Sequence, residues 1–151
     1  QAGDEVTIHL DGQCRQPDWS RPAEVAERIG ARLSLDEPEP ADIIYTHHTG
    51  DLNADHRRVA ERALVLGRFA RTVRTFETVS STEWGLTPFL PTYFVEIDIT
   101  AKVGLLTVYS EEMRAAPHPR SYIAIEALAT LRGSTAGLPY AEAFVTVRDR
   151  W

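Results

Sequence analysis

The stretch "ADIIYTHHTGDLNADHRRV", residues 41–59, decides how this chain folds. Its first seven residues are short and mostly apolar, the composition of a strand buried within a sheet. From Asp55 the period changes. His56, Val59, Ala60, Ala63 and Gly67 recur at spacings of three and four, which predicts one face of a helix running to about Arg71. A polar loop carrying His47, His48, Asp51 and Asn53 joins the two. Where a strand hands over to a helix in an open α/β sheet, ligands bind.

Working outward, strand and helix patterns alternate, which predicts an α/β layered fold. "EVTIHL" (5–10) reads as a strand. "RPAEVAERIGARL" (21–33) reads as a helix with Ala26, Ile29 and Leu33 on one face, Ser20 as its cap and Pro22 in its first turn. "DEPEP" (36–40) breaks the pattern. "VRTFETV" (73–79) and "YFVEIDI" (93–99) are further strands, joined by a long loop with Trp84, Pro88 and Pro91, and loops of that length are more often functional than idle. "TAKVGLLTVYSEEM" (100–113) reads as a helix with Leu106, Tyr109 and Met113 on one side. "SYIAIEALATLRG" (121–133) is another, capped by Ser121 and stopped at Gly133, and "YAEAFVTVR" (140–148) is the last strand. With no repeat, linker or low-complexity tract, residues 1–151 read as a single domain.

Composition excludes several function classes. At 151 residues with 43% hydrophobic content, the chain is long enough to bury a core. No apolar run reaches the roughly 18–20 residues that span a bilayer, so no membrane span is expected. The N-terminus has no basic, apolar leader, and the lone Cys14 excludes a disulfide framework and paired-cysteine zinc signatures; a cytoplasmic setting is the expectation. A net charge of −6, with arginines scattered along the chain, argues against nucleic acid as a partner.

The loop residues have bland and chemical readings side by side. Asp51, Asn53 and Asp55 are good cap residues for the helix that follows. His56 in the first helical turn is either a hydrogen-bonded core histidine or a metal ligand whose direction the helix fixes. The positive end of the helix dipole disfavours imidazolium there and keeps a lone pair available. His47 and His48 are adjacent on a strand end, so at most one faces the site. "DLNADH" begins like an EF-hand loop but has His56 where glycine belongs and Arg62 where the bidentate glutamate belongs, which excludes calcium of that kind. Ser80 and Ser81 lack a nucleophile elbow, and no phosphate-cradling glycine loop occurs. "PHPRS" (117–121) sets His118 and Arg120 before a helix start, as a recognition corner or a proline-stiffened turn. Glu142 points either to solvent or into a cleft.

Taken together, "PADIIYTHHTGDLNADHRRV", "FETVSSTEWG", "YFVEIDI", "YSEEMRAAPHPRSYIAIEALATLRG" and "YAEAFVTVR" resemble the zinc-dependent de-N-acetylases of the PIG-L/LmbE-like family, collinearly from about residue 40 to residue 148. The resemblance implies a Rossmann-like three-layer α/β/α sandwich with a mostly parallel sheet. It implies a zinc-dependent hydrolase that removes the acetyl group from an N-acetylated amino sugar or its conjugate, and it allows a homo-oligomer. It makes His56 a zinc ligand. Asp51, Asn53 and Asp55 would shape the metal side of the catalytic site, and His118, Arg120 and Glu142 the substrate side. Asn53 stands where many members carry a histidine, so it would offer an oxyanion only a neutral hydrogen bond.

One departure bears on all of this. The family draws two zinc ligands and its base from an A-H-P-D-D-E segment, and no H-P-D-D-E occurs in these 151 residues. Asp4 and Glu5 precede a strand and are no substitute. The expectation is a chain truncated at its N-terminus. The alternatives are a catalytically degenerate member that binds sugar or forms an oligomer, or an unrelated hydrolase with its own His/Asp metal site at 47–56. A missing central strand would leave a sheet edge open.

Overall fold

The structure, a computed structural model, describes residues 6–9, 20–34 and 41–150. The 36–40 breaker, Cys14, Asp4 and Glu5 lie outside the described residues.

The stretch 41–59 forms strand β3 (Ile43–His47) and begins helix α2 (Ala54–Leu66), and the chain then returns as strand β4 (Thr72–Phe76), parallel to β3. Asn53 starts the helix: its side-chain oxygen accepts from the Asp55 N–H at 2.9 Å, satisfying a donor that the first turn leaves free. The helix ends sooner than the apolar period suggests, passing at Gly67 into a 3₁₀ turn, Gly67–Phe69. Gly67 lies close against β3, where a Cβ would come within 2.7 Å of Ile44 Cδ1 and push that side-chain end aside. Ala60 and Gly67 seat α2 on the sheet.

Two further strands complete this sheet. β5 (Tyr93–Glu96) and β6 (Ala141–Asp149) give the order β3-β4-β6-β5, with β6 antiparallel to both neighbours. A separate two-stranded parallel sheet pairs β1 (Thr7–His9) with β2 (Arg32–Ser34). The class is therefore mixed α/β, as expected, but the four-stranded sheet is mostly antiparallel, with β3–β4 its one parallel pair. The reason lies in the connections: β5 reaches β6 through helices that return the chain beside β5 in the opposite sense. Nor is β3 buried on both faces, since Ile43 and Tyr45 are partly open to solvent.

Helix ends account for the other differences. α1 (Ser20–Ile29) stops at Gly30, whose φ of 68° is left-handed, so Leu33 belongs to β2 and not to the helix. Ser20 is the first helical residue, and Ile29 is exposed where Ala26 is buried. The strand read as 93–99 ends at Glu96 because Asp98 caps α3 (Ile99–Leu106), accepting from the N–H groups of Thr100 and Ala101. The single helix expected over 100–113 breaks after Leu106 into a 3₁₀ segment, Thr107–Glu112, kinked at Tyr109. α4 (Tyr122–Ala136) starts on its Ser121 cap as expected but runs past Gly133 to Gly137, the left-handed stop. Gly133 instead lets the chain cross closely, since a Cβ there would meet Leu138 O at 2.6 Å.

The core sits where α4 packs on β6 and α2 on β3, with Ala129, Ile125, Ala141, Ala143 and Val73 buried. Arg74 of β4 is buried too, stacked 3.6 Å from the Tyr93 ring centroid and donating to Tyr45 Oη at 3.1 Å. Among the described residues, no helix is long and apolar enough to cross a membrane.

Candidate functional site

Where β3 ends, the chain turns through Gly50 toward α2, and the loop that follows β4 folds back over it. The two are pinned together. Leu52 N–H donates to Ser81 O, and Gly85 packs so closely on Gly50 that a Cβ would overlap the Gly50 carbonyl. Arg57, one turn into α2, donates to the carbonyls of Asp51 and Leu52 at 2.7 and 2.6 Å. The loop is thereby held from three sides.

At its centre lies Asp51, 1% exposed. Both carboxylate oxygens are engaged. Oδ1 accepts from the Asn53 N–H at 2.8 Å and lies 3.2 Å from His56 Nδ1; Oδ2 accepts from the hydroxyls of Thr82 at 2.6 Å and Ser81 at 2.9 Å. Burial works against its ionised form, but the donors from Thr82, Asn53, Ser81 and His56 outweigh it and hold the carboxyl below its usual range. An ionised carboxylate only accepts hydrogen bonds, so His56 Nδ1 must be the N–H of that ring. In the neutral ring the lone pair is then on Nε2, and His56 lines the adjoining cleft. This is the carboxylate–histidine pairing that fixes tautomer and direction in metal-ligating histidines.

Ser81, His56 and Asp51 superficially compose a hydrolase triad, but the geometry argues against one. Ser81 Oγ is 3.4 Å from the same Nδ1 that faces Asp51, and its proton goes to the carboxylate. A triad needs serine and aspartate on opposite nitrogens of the ring.

His47 stacks flat on His56, ring centroids 3.9 Å apart and planes 7° from parallel, with its Nδ1 3.1 Å from Thr78 Oγ1. Burial foremost, and His56 beside it, lower the His47 pKa from 6.5 to about 4 against the opposing pull of Asp51. His47 is therefore neutral at ordinary pH. His48 points the other way, buried against Phe89 with its Nε2 unpartnered. The alternation expected of adjacent strand residues holds.

In front of this array opens a cleft of about 540 Å³. Asn53 and His56 line one side, Ser80, Ser81 and Trp84 of the long loop another, and Glu112 with Arg120 a third. Asn53 already uses its side-chain oxygen as the α2 cap, which leaves its amide as a neutral donor. Ser80 holds a φ of 72°, uncommon for a residue with a side chain. Arg120 NH1 donates to Glu112 Oε2 at 3.0 Å.

Of the residues singled out from sequence, Asn53, His56 and Arg120 thus meet at one cleft, with Asp51 directly behind His56. Asp55 turns along the helix to Arg58 at 3.1 Å. His118 braces the 117–121 turn from within, its Nδ1 accepting from the Arg120 N–H at 3.0 Å. Glu142 pairs with Lys102 at 2.6 Å and does not line the cleft. Sequence reasoning missed Ser81 and Thr82 as the hydroxyl cradle of Asp51, Thr78 as the partner of His47, and Trp84 and Glu112 as cleft walls. The polar run within "VSSTEW", inside a loop already marked by its length, was the available signal.

Zinc fits the described residues in part. His56, paired with Asp51, has the donor chemistry of a zinc ligand. A catalytic zinc takes about three protein ligands, however, and among the described residues no three His, Cys, Asp or Glu side chains gather as a metal-holding group.

Comparisons with known proteins add the fold alone. No family model matches this chain, and no curated protein matches it. Its structure is similar to the crystal structure of the conserved protein TT1542 from Thermus thermophilus, with a TM-score of 0.69 and 16% sequence identity over 99% of this chain and 84% of that one.

Proposed function

We propose that this chain is a PIG-L/LmbE-like de-N-acetylase domain, a hydrolase that removes the acetyl group from an N-acetylated amino sugar or its conjugate. The observation that carries the reading is the Asp51–His56 pair at the wall of the cleft, 3.2 Å apart, which would leave one imidazole nitrogen for a ligand. His56 would be one ligand of a zinc ion, and zinc when bound supplies Lewis-acid polarisation of the acetamide and a more acidic water. Asp51 is a positioning residue, because its four hydrogen-bonding contacts leave it no capacity to act as the base. His47 holds the His56 ring plane by stacking. The Asn53 amide would donate to an oxyanion, and Arg120 would bind substrate hydroxyls. On this reading the base and the remaining ligands come from an H-P-D-D-E segment, and the parallel β3–α2–β4 unit belongs to a Rossmann-like three-layer sandwich in a cytoplasmic enzyme.

A second reading has its own support: the lack of a three-ligand group among the described residues suits a degenerate member that binds sugar without hydrolysing it. Acetate release from N-acetylglucosamine by a protein that includes that segment, with zinc and with a chelator, separates the two. The hydrolase reading expects release that chelation and His56→Ala both abolish. Binding without release supports the degenerate reading, and neither binding nor release sinks both.

A further inference from the structure

Trp84 stands at the lip of the cleft with 56% of its surface open to water. An indole left in that state forgoes much of the free energy its burial would yield, which marks it as a surface awaiting an apolar face. Its backbone is also held firmly. The turn that carries it is closed by the Gly85 N–H on Thr82 O and seated on Gly50 where only glycine fits, while Thr82 is tied to Asp51. A fixed platform loses little entropy on binding.

Another wall of the same cleft is polar and forked. Glu112 has one oxygen toward Arg120 at 3.0 Å and the other toward Arg21 at 3.8 Å, and Glu112 and Arg120 both stay about 40% exposed at the side chain. A carboxylate acceptor beside a guanidinium donor matches adjacent hydroxyl groups, each of which both donates and accepts. A flat apolar face near a row of hydroxyls describes a pyranose ring, with its C–H face on the indole and its edge on the ion pair.

We infer that Trp84 is the specificity-determining platform that selects a pyranose over an acyclic N-acetyl amine, with Glu112 and Arg120 reading its hydroxyls. This deepens the cleft reading above and rests on it. The test measures equilibrium binding of N-acetylglucosamine and of N-acetylethanolamine, which has the same acetamide and no ring, to the wild type and to Trp84→Ala, Trp84→Phe and Glu112→Gln, following ligand NMR signals. Trp84→Ala is expected to weaken N-acetylglucosamine about three- to tenfold, the scale of one aromatic contact, and to leave N-acetylethanolamine unchanged. Trp84→Phe should recover most of the loss, and Glu112→Gln should also weaken only the pyranose. Equal loss for both ligands, no loss for either, no pyranose binding by the wild type, or a change of oligomeric state in its place overturns the inference. Acetate release measured on the same variants in a protein that includes the H-P-D-D-E segment keeps the two proposals apart. A pyranose bound through Trp84 but not hydrolysed removes the hydrolase reading alone, and hydrolysis indifferent to Trp84 removes this inference alone.

Discussion

Replacing Asp51 with alanine should cost more stability than most single changes in this chain. The side chain is fully buried and accepts from Thr82, Ser81, the Asn53 N–H and His56. Once it is removed, Ser81 can turn to Thr78 O, 3.3 Å away, but the Thr82 hydroxyl and the Asn53 N–H lose their acceptor. Each buried donor without a partner costs about 1–3 kcal/mol, and water entering from the cleft offsets part of that, so the loss should be about 3–5 kcal/mol. In a domain of this size that lowers Tm by about 8–16 °C. Asp51→Asn keeps the shape and one acceptor oxygen, while its amide obliges the two hydroxyls to reverse; about 1–2 kcal/mol is expected. Thermal and urea unfolding at pH 7, followed by circular dichroism, measure both. A loss below about 1 kcal/mol for the alanine variant would show that the four contacts do not hold the loop, and the case for an oriented His56 would go with them.

The remaining predictions concern the same loop and its supports. Between pH 6.5 and about 4 the unfolded His47 binds a proton that the folded ring refuses, so stability falls as pH drops through that window, and His47→Gln should flatten the acid limb of a pH–stability curve there. Gly85→Ala drives a methyl into the Gly50 backbone and to 3.2 Å from Thr82 O, and should lower stability by about 2–3 kcal/mol in urea unfolding. Arg132 holds Glu77 by two hydrogen bonds of 2.7 Å with both side chains mostly buried; Arg132→Lys loses the fork and should cost about 1–2 kcal/mol, despite keeping the charge.

What the sequence made legible follows from how local each signal is. The change of period across residues 41–59 and the Asn53 and Ser121 caps act within one turn of chain, and each appears in place. Boundaries failed where one residue type serves two ends. Gly133 has the composition of a helix stop but is a point of close approach to Leu138, and the stop is Gly137. Asp98 looked like part of a strand because a cap residue carries no period of its own. The antiparallel partners of β6 could not be read at all, since strand direction is set by how the α3 and α4 connections lie and not by side-chain alternation. His56 was marked by its helix position. Its orientation depends on Asp51, and that in turn on a hydroxyl 30 residues further along the chain, a dependence only the folded loop reveals.

The central claim is that the buried Asp51 carboxylate fixes the His56 proton on Nδ1 and leaves Nε2 bare toward the cleft. Long-range proton–nitrogen NMR of the imidazole rings at pH 7 reads this directly, first without metal and then during zinc addition. The account predicts a protonated Nδ1 and an unprotonated Nε2 at His56, with zinc moving the Nε2 signal. A proton found on Nε2, or zinc shifting His48 while His56 stays unmoved, would contradict it.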